Sequence, residues 1–541
     1  MSSRWFRPTV TLPVAVGAVF FVAGVVQVAN NWPVIGDWAV AELIVRHLGR
    51  HLPLSGPYSA TRGYDHPLPW VYAIEWLPYR IAGSRSSAAP AMALWWNGAW
   101  ASFVVWILAR RKANGLAVIA LAALLIMASS IEGVVLLLPW NPNLAVVPAF
   151  ALLFVSWRVA IGERRFLPLS VGLGIWCAGA NLAFLPFAAA LVLVSSTSLT
   201  ISTLIGSGLG ALRTLLRPVL LALAVAVVLA APMIVDVVAH GSQSNPARIV
   251  QQAGPGSSST SVPASQAVKV LRAELAIPPA WTRVAEPYDV YLYRPAARVP
   301  VLLALVPFVM FAAWRRRARD ELFGIAISLA GLGAATIGLV HVDDTMLQPR
   351  YLLPAHIAGA GLVSFVLWST GRSVRAFART GRAPVKSASL RRLRAGGLIA
   401  LPCLCLLGTT LAVSGMHTPP YFQSVASTTE NLAGSIEHHF PKGAHLIVDG
   451  PLRVDGYYSQ SLTLQLDRAG YDVRVPDEDL YMYTAALAVP KRWVGTTLTL
   501  QISGPAPAPP TPGATLVGRV VVPPNLAFAG ETLSIWQRVR T

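Results

Sequence analysis

The chain has 541 residues, of which 54% are hydrophobic and only 12% charged, about half the charged fraction of a soluble globular protein. That excludes an ordinary soluble enzyme, and runs with almost no ionisable group, such as 9–28, 218–235 and 322–340, are long enough to cross a hydrocarbon core of about 30 Å. The net charge of +19 would raise the question of nucleic acid, but the basic clusters lack aromatic interleaving and any nucleic-acid-binding motif, which argues against such a partner.

The whole charge excess lies in compact clusters between apolar runs: Arg4 and Arg7; Arg110, Arg111 and Lys112; Arg158, Arg164 and Arg165; Arg213 and Arg217; Arg315, Arg316, Arg317 and Arg319; and eight residues from Arg372 to Arg394. Only Glu163, Asp320 and Glu321 accompany them. Placing these clusters in the cytoplasm makes every other connection external, as the positive-inside rule requires.

About eleven spans are expected, at 9–29, 92–109, 114–130, 144–161, 167–181, 183–198, 218–239, 299–314, 322–340, 351–370 and 398–415. The fifth and sixth are short and join near Asn181. The first run is too long for a signal-peptide core and no small-residue cleavage site follows, so it is expected to be retained. With the N-terminus inside, an odd number of spans leaves the C-terminus outside. Cys177, Cys403 and Cys405 all fall in apolar runs, without a disulfide framework or metal-ligand spacing.

Three external segments are long enough to hold chemistry: 30–91, 240–298 and 416–541. The first is aromatic and charged. The second opens with the flexible-looking stretch 254–259, continues with a short amphipathic helix over 264–275 and ends in an aromatic segment, 288–293. The third reads as a soluble α/β domain following a transmembrane module of residues 1–415. Strands are expected at 445–449, 471–475, 498–502, 515–522 and 532–537, with a helix over 459–469 and a proline-rich connector at 505–512. Asp449-Gly450 superficially suggests a nucleotide site, but no glycine-rich loop follows, which favours a packed sandwich.

The first span is followed by Asn30-Asn31-Trp32-Pro33-Val34-Ile35-Gly36-Asp37. A carboxylate at the mouth of a membrane helix suits a base; the alternative is that Asp37 caps the following helix. Next come Glu42, then Gly56-Pro57-Tyr58-Ser59 and Gly63-Tyr64-Asp65-His66-Pro67-Leu68-Pro69-Trp70. These turn-forming dipeptides fix an extended backbone and hold Tyr58, Tyr64, Asp65, His66 and Trp70 in a short space. Aromatic faces beside a carboxylate and an imidazole suit a sugar ring; an interfacial aromatic belt explains Trp70 but not Asp65-His66.

This order of motifs resembles the first external loop of the GT-C superfamily, membrane glycosyltransferases that use polyprenyl-phosphate sugar donors. The resemblance extends to Trp140-Asn141-Pro142-Asn143 and to Gln348-Pro349-Arg350-Tyr351-Leu352-Leu353-Pro354, and covers about 370 residues by layout. It implies a GT-C-like polytopic α-helical membrane protein acting on an envelope glycan or lipid acceptor with inversion. Asp37 would be the base, Arg350 the partner of the donor phosphate, and Glu42, Tyr58, Tyr64, Asp65, His66, Trp70 and Asn141 the substrate-binding residues. The alanine- and arginine-rich composition resembles actinobacterial proteins, many of whose relatives of this kind build envelope arabinan and mannan.

Asp343-Asp344 could hold a divalent cation, or could simply pair with Arg350; many such transferases need no metal, and none is assigned. Glu132 and Asp236 are acids near membrane depth, where a functional role is the default expectation. His417, His438, His439 and His445 lack zinc-site spacing. Two rival readings are a lipid-linked sugar transporter, which the nearly apolar midplane (Asn97 and Asn181 apart) disfavours, and a non-catalytic envelope assembly protein.

Overall fold

The computed structural model describes residues 8–30, 32–59, 63–131, 134–253, 261–283, 298–342, 348–380, 420–450, 458–476, 487–489, 495–503, 510, 513–522 and 531–539. In chain order the helices are α1 (Pro8–Ala29), α2 (Gly36–His47), α3 (Trp70–Ile81), α4 (Ala88–Arg110), α5 (Asn114–Ser130), α6 (Val134–Leu137), α7 (Asn141–Ala160), α8 (Leu167–Ala180), α9 (Leu185–Ser207), α10 (Arg213–His240), α11 (Asn245–Ala253), α12 (Ala264–Glu274), α13 (Val301–Arg315), α14 (Arg319–Leu339), α15 (Pro349–Thr380), α16 (Pro420–His439) and α17 (Tyr458–Ala469). Short strands β1 (Tyr58–Ser59) and β2 (Tyr64–Asp65) lie between α2 and α3; β3 (His445–Asp449), β4 (Asp472–Arg474), β5 (Thr496–Ser503), β6 (Thr515–Val521) and β7 (Thr532–Val539) follow α16.

The first ten expected spans are all helices, namely α1, α4, α5, α7 to α10 and α13 to α15. Among the described residues seven helices are long and apolar enough to cross a membrane, and α5 and α13 are shorter apolar ones. The eleventh expected span, with Cys403 and Cys405, lies outside the described residues, as do Glu132, Asp343, Asp344, His417 and the stretches 254–259 and 288–293. The join between α8 and α9 falls at Asn181, whose side chain accepts a hydrogen bond from the amide of Ala183 and starts the next turn.

The chain divides into two compact units: residues 1–26, 61–68 and 93–416, and residues 27–60, 69–92 and 417–541. In the first unit α7 is the central helix, every one of its residues buried against α8, α9, α14 and α15. Close crossings use small residues: a Cβ on Gly324 would meet the Phe365 ring at 2.2 Å, so α14 and α15 approach more closely than larger side chains allow. By contrast α10 packs mainly on α8 and buries only Leu215, Pro218, Ala222 and Asp236, the pattern of a helix whose outer face meets lipid.

The three acids of the basic clusters tie that unit together. Glu163 binds Arg158 and Arg165, Asp320 lies 3.5 Å from Arg111, and Glu321 binds Arg316 at 2.6 Å and Arg372 at 3.1 Å. The Glu163 carboxyl is held below the usual carboxylate range because Arg158, Arg165 and Arg111 outweigh its partial burial.

In the second unit the sheet order is β4-β3-β5-β7-β6. β3 pairs in parallel with β4 and β5, whereas β5–β7 and β7–β6 are antiparallel. This is one mixed sheet with helices, not the packed sandwich expected: two parallel strands need a crossover, and α17 supplies it between β3 and β4. The leucines Leu462, Leu464 and Leu466, which alternate as a strand's would, are all buried on that helix.

Candidate functional site

The second unit holds Asp37. Gly36 adopts φ 53, a left-handed backbone that favours glycine, and its amide donates to Ser461 Oγ at 3.3 Å. The N-cap of α2 is Ile35, with no side-chain capping bond. The capping alternative for Asp37 is therefore wrong: it sits inside the first turn, where the helix dipole favours a negative charge. The Tyr58 hydroxyl donates to Asp37 Oδ1 at 2.6 Å and itself accepts from Gln460 Nε2 at 3.3 Å. Two residues of the expected site thus meet, with Tyr58 orienting the carboxylate, while Gln460 went unremarked in the sequence because it lies 402 positions away.

One helical turn further, Glu42 is 1% exposed and surrounded by protein rather than open to a substrate. Its Oε1 accepts from the Tyr79 hydroxyl at 2.8 Å and from Arg468 Nε at 3.1 Å. Arg46 continues the network to Tyr79 at 3.1 Å and to Asp467 at 2.6 Å, and His47 lies 3.3 Å from Asp467. Asp467 is held below its ordinary range because hydrogen bonds from His47 and Arg46, with the Arg46 charge, outweigh burial. Glu75, 3% exposed, is pushed up to about 8 by burial first and the Glu42 carboxylate second. Trp70 is half-buried at the start of α3.

The first unit holds His66 and Arg350. Arg350 is the second residue of α15, at the positive end of the helix dipole, which disfavours a cation. Its guanidinium lies 4.6 Å from the Trp140 ring centroid and 5.3 Å from that of Tyr351. Among the described residues no carboxylate pairs with it. Burial, and after it the Arg350 charge, push the His66 pKa down to about 3, so its ring is neutral at physiological pH. His66 Nδ1 accepts the Leu182 amide at 3.4 Å, which leaves the proton on Nε2 as a donor.

This loop is held from behind. Asn245 accepts from the Asp65 amide at 2.8 Å and donates to the Asp65 carbonyl at 3.0 Å. Asp236 in turn accepts from the Asn245 amide at 2.7 Å and contacts His240 at 2.7 Å. The acid flagged near membrane depth therefore anchors the His66 turn. Asn141 is buried and donates to the Ala180 carbonyl at 2.8 Å, a tie between α7 and α8. Tyr64 is half-buried in β2.

Among the described residues no group of three or more His, Cys, Asp or Glu could hold a metal; the Asp343-Asp344 pair falls outside them. His445 pairs with Asp472 at 2.6 Å. Chemically, one cluster presents a carboxylate oriented by a phenol, and the other a guanidinium on aromatic faces beside a neutral imidazole donor.

Comparison with models of known protein families and with curated protein sequences gives no match. Among solved structures the chain resembles ArnT from Cupriavidus metallidurans bound to undecaprenyl phosphate, with 14% identity over 99% of this chain and 98% of that one and a TM-score of 0.51. It also resembles the same protein in the apo state, with 15% identity, 96% and 97% coverage and a TM-score of 0.50. The fold is thus the expected GT-C-like membrane fold with a C-terminal α/β domain, ArnT-like along nearly its whole length.

Proposed function

We propose that the protein is a membrane glycosyltransferase that moves a sugar from a polyprenyl-phosphate donor to an envelope glycan or lipid acceptor, with inversion. The observation that carries this reading is the Arg350 guanidinium, set on Trp140 and Tyr351 at a helix N-terminus without a carboxylate among the described residues. Helix N-termini and guanidinium groups both bind phosphate oxygens, and the structure with the same fold is bound to undecaprenyl phosphate.

In the proposed reaction Asp37 takes the proton of an acceptor hydroxyl as its oxygen attacks the anomeric carbon. The bond from that carbon to the phosphate oxygen breaks, and polyprenyl phosphate leaves with the electron pair. Arg350 offsets the charge on the leaving phosphate, and His66 Nε2–H can donate to one of its oxygens. The resemblance to actinobacterial envelope proteins, many of which build arabinan and mannan, makes arabinosyl and mannosyl donors the first to assay. By the positive-inside rule the basic clusters face the cytoplasm and 30–91, 240–298 and 416–541 lie outside; cysteines introduced at Ser59 and Ser503 should both react with an impermeant reagent in intact cells, and protection of either overturns that orientation.

The decisive variant is Asp37→Asn. It keeps shape and most hydrogen bonding but loses basicity, so sugar transfer in membranes should fall by about two to four orders of magnitude with unchanged thermal stability. Near-normal turnover would remove Asp37 from the reaction.

A further inference from the structure

We propose that the basic end of the membrane bundle carries a second site, for the phosphate headgroup of an anionic phospholipid. The inference does not depend on the transfer reading, because no residue in it belongs to the clusters around Asp37 or Arg350.

A cleft of about 650 Å³ opens at the α4–α5 turn, the start of α14 and the end of α15, lined by Arg111, Lys112, Asp320, Trp368, Arg372 and Arg375. Four cations face one carboxylate. Arg111 is held loosely, 3.7 Å from Glu163 and 3.5 Å from Asp320. Arg372 reaches Glu321 at 3.1 Å and lies 5.1 Å from the Trp368 ring centroid. Among the described residues neither Lys112 nor Arg375 pairs with an acid. Lys112 is turned out of α4 at φ 59 where the helix closes through the Ala113 amide on the Leu108 carbonyl at 3.1 Å. The N-cap of α5 is Ala113, which has no side chain to cap the first amides, and Asn114 and Gly115 also line the cleft. The start of α5 thus adds the positive end of a helix dipole to the cleft wall.

The surroundings of the cleft favour a phosphate carried by a lipid over a soluble one. From the rim α15 runs on to Thr380 with Leu367 52%, Val374 61% and Phe377 83% exposed, interleaved with Arg372 and Arg375. Apolar side chains beside arginines mark a helix end that rests in the headgroup layer, acyl chains against one face and phosphates against the other. Soluble phosphate would use only the cations and leave that apolar flank without a role.

The test uses purified full-length protein in nanodiscs of phosphatidylcholine, titrated with fluorescent phosphatidylglycerol. Wild type should bind phosphatidylglycerol in preference to labelled phosphatidylcholine. The Lys112→Glu/Arg375→Glu variant should bind it roughly twentyfold more weakly, at about a fivefold loss per cation near the bilayer surface, with an unchanged thermal midpoint in phosphatidylcholine alone. The Arg213→Glu/Arg217→Glu variant, which alters a basic cluster outside the cleft, should keep wild-type affinity. If it weakens binding as much, the effect is only the general charge of the bundle and the site is overturned. Equal affinity for the two lipids overturns it as well. Displacement of the probe by inorganic phosphate at matched concentration would assign the cleft to a soluble ion and overturn the lipid. Should the reversal variant not fold, Lys112→Gln/Arg375→Gln is read against the same outcomes.

Discussion

Two charge clusters, one in each compact unit, use similar side chains and finish in opposite states. Around Glu42 the carboxylates of Glu42 and Asp467 are matched by Arg468, Arg46 and the Tyr79 hydroxyl, and the bonds run between α2, α3 and α17. Each charge is used up holding helices together. Around Arg350 the guanidinium rests on two aromatic rings, stands at the unfavourable end of a helix dipole and acts on an imidazole that is kept neutral. Aromatic faces stabilise a cation without neutralising it, so this charge stays available to an anion from outside. Burial and formal charge alone would not separate the two; the count of opposite partners does.

The sharpest way to break the comparison is to open the closed network. Glu42→Ala leaves Arg468 without its carboxylate and Tyr79 without its acceptor. Removing one partner of a buried pair costs several kcal/mol, and because the Arg468 side chain is 33% exposed, about 2–3 kcal/mol is expected here. Denaturant unfolding of the full-length protein should show the loss, with donor affinity unchanged in the folded fraction. A Glu42→Ala protein as stable as wild type but impaired in substrate binding would return Glu42 to the substrate site.

Arg350 should behave in the reverse manner. Arg350→Lys keeps the charge but replaces a planar fork and its ring stacking by a point charge. Donor affinity should weaken by about tenfold, the worth of one bidentate charged contact, with almost no change in stability. If Arg350 merely pairs with an exposed carboxylate, the substitution is nearly silent, since such pairs are worth roughly 0–1 kcal/mol. The dependence of transfer rate on donor concentration separates the two.

What could be read in the sequence follows from what is local. Hydrocarbon thickness fixes the length of an apolar run that can cross a membrane, so ten helices appear where such runs lie, and α5 starts and stops at the expected residues. Asp37 and Tyr58 stand 21 positions apart in one motif-rich loop, so their proximity was legible. The pairing of Glu42 with Arg468 spans 426 positions, and nothing in the pattern around either residue names the other. The tail shows the same division. Its strands were visible as apolar runs and α17 as the helix expected over 459–469 despite its alternating leucines, but the parallel pairing of β3 with β5 joins residues some fifty positions apart, and no local pattern announces it.

The smallest expected effects concern pH, and they have opposite signs in the two units. His66 falls from its ordinary value of 6.5 to about 3 in the folded protein. Between those values the unfolded chain binds more protons, so the contribution of His66 to stability is fully present above pH 6.5 and is lost as pH falls toward 3. Glu75 rises from 4.5 to about 8. Here the folded state binds the extra proton, so its contribution is present below 4.5 and is lost as pH rises toward 8. Each is best isolated by difference, since a single titration moves a large protein's melting midpoint by about 2–4 °C per kcal/mol. The midpoint of wild type minus that of His66→Gln should fall on acidification, whereas wild type minus Glu75→Gln should fall on alkalinisation. Parallel profiles would mean that the two buried groups do not differ as their surroundings require, and a flat His66 profile would also remove the Arg350 charge from its neighbourhood.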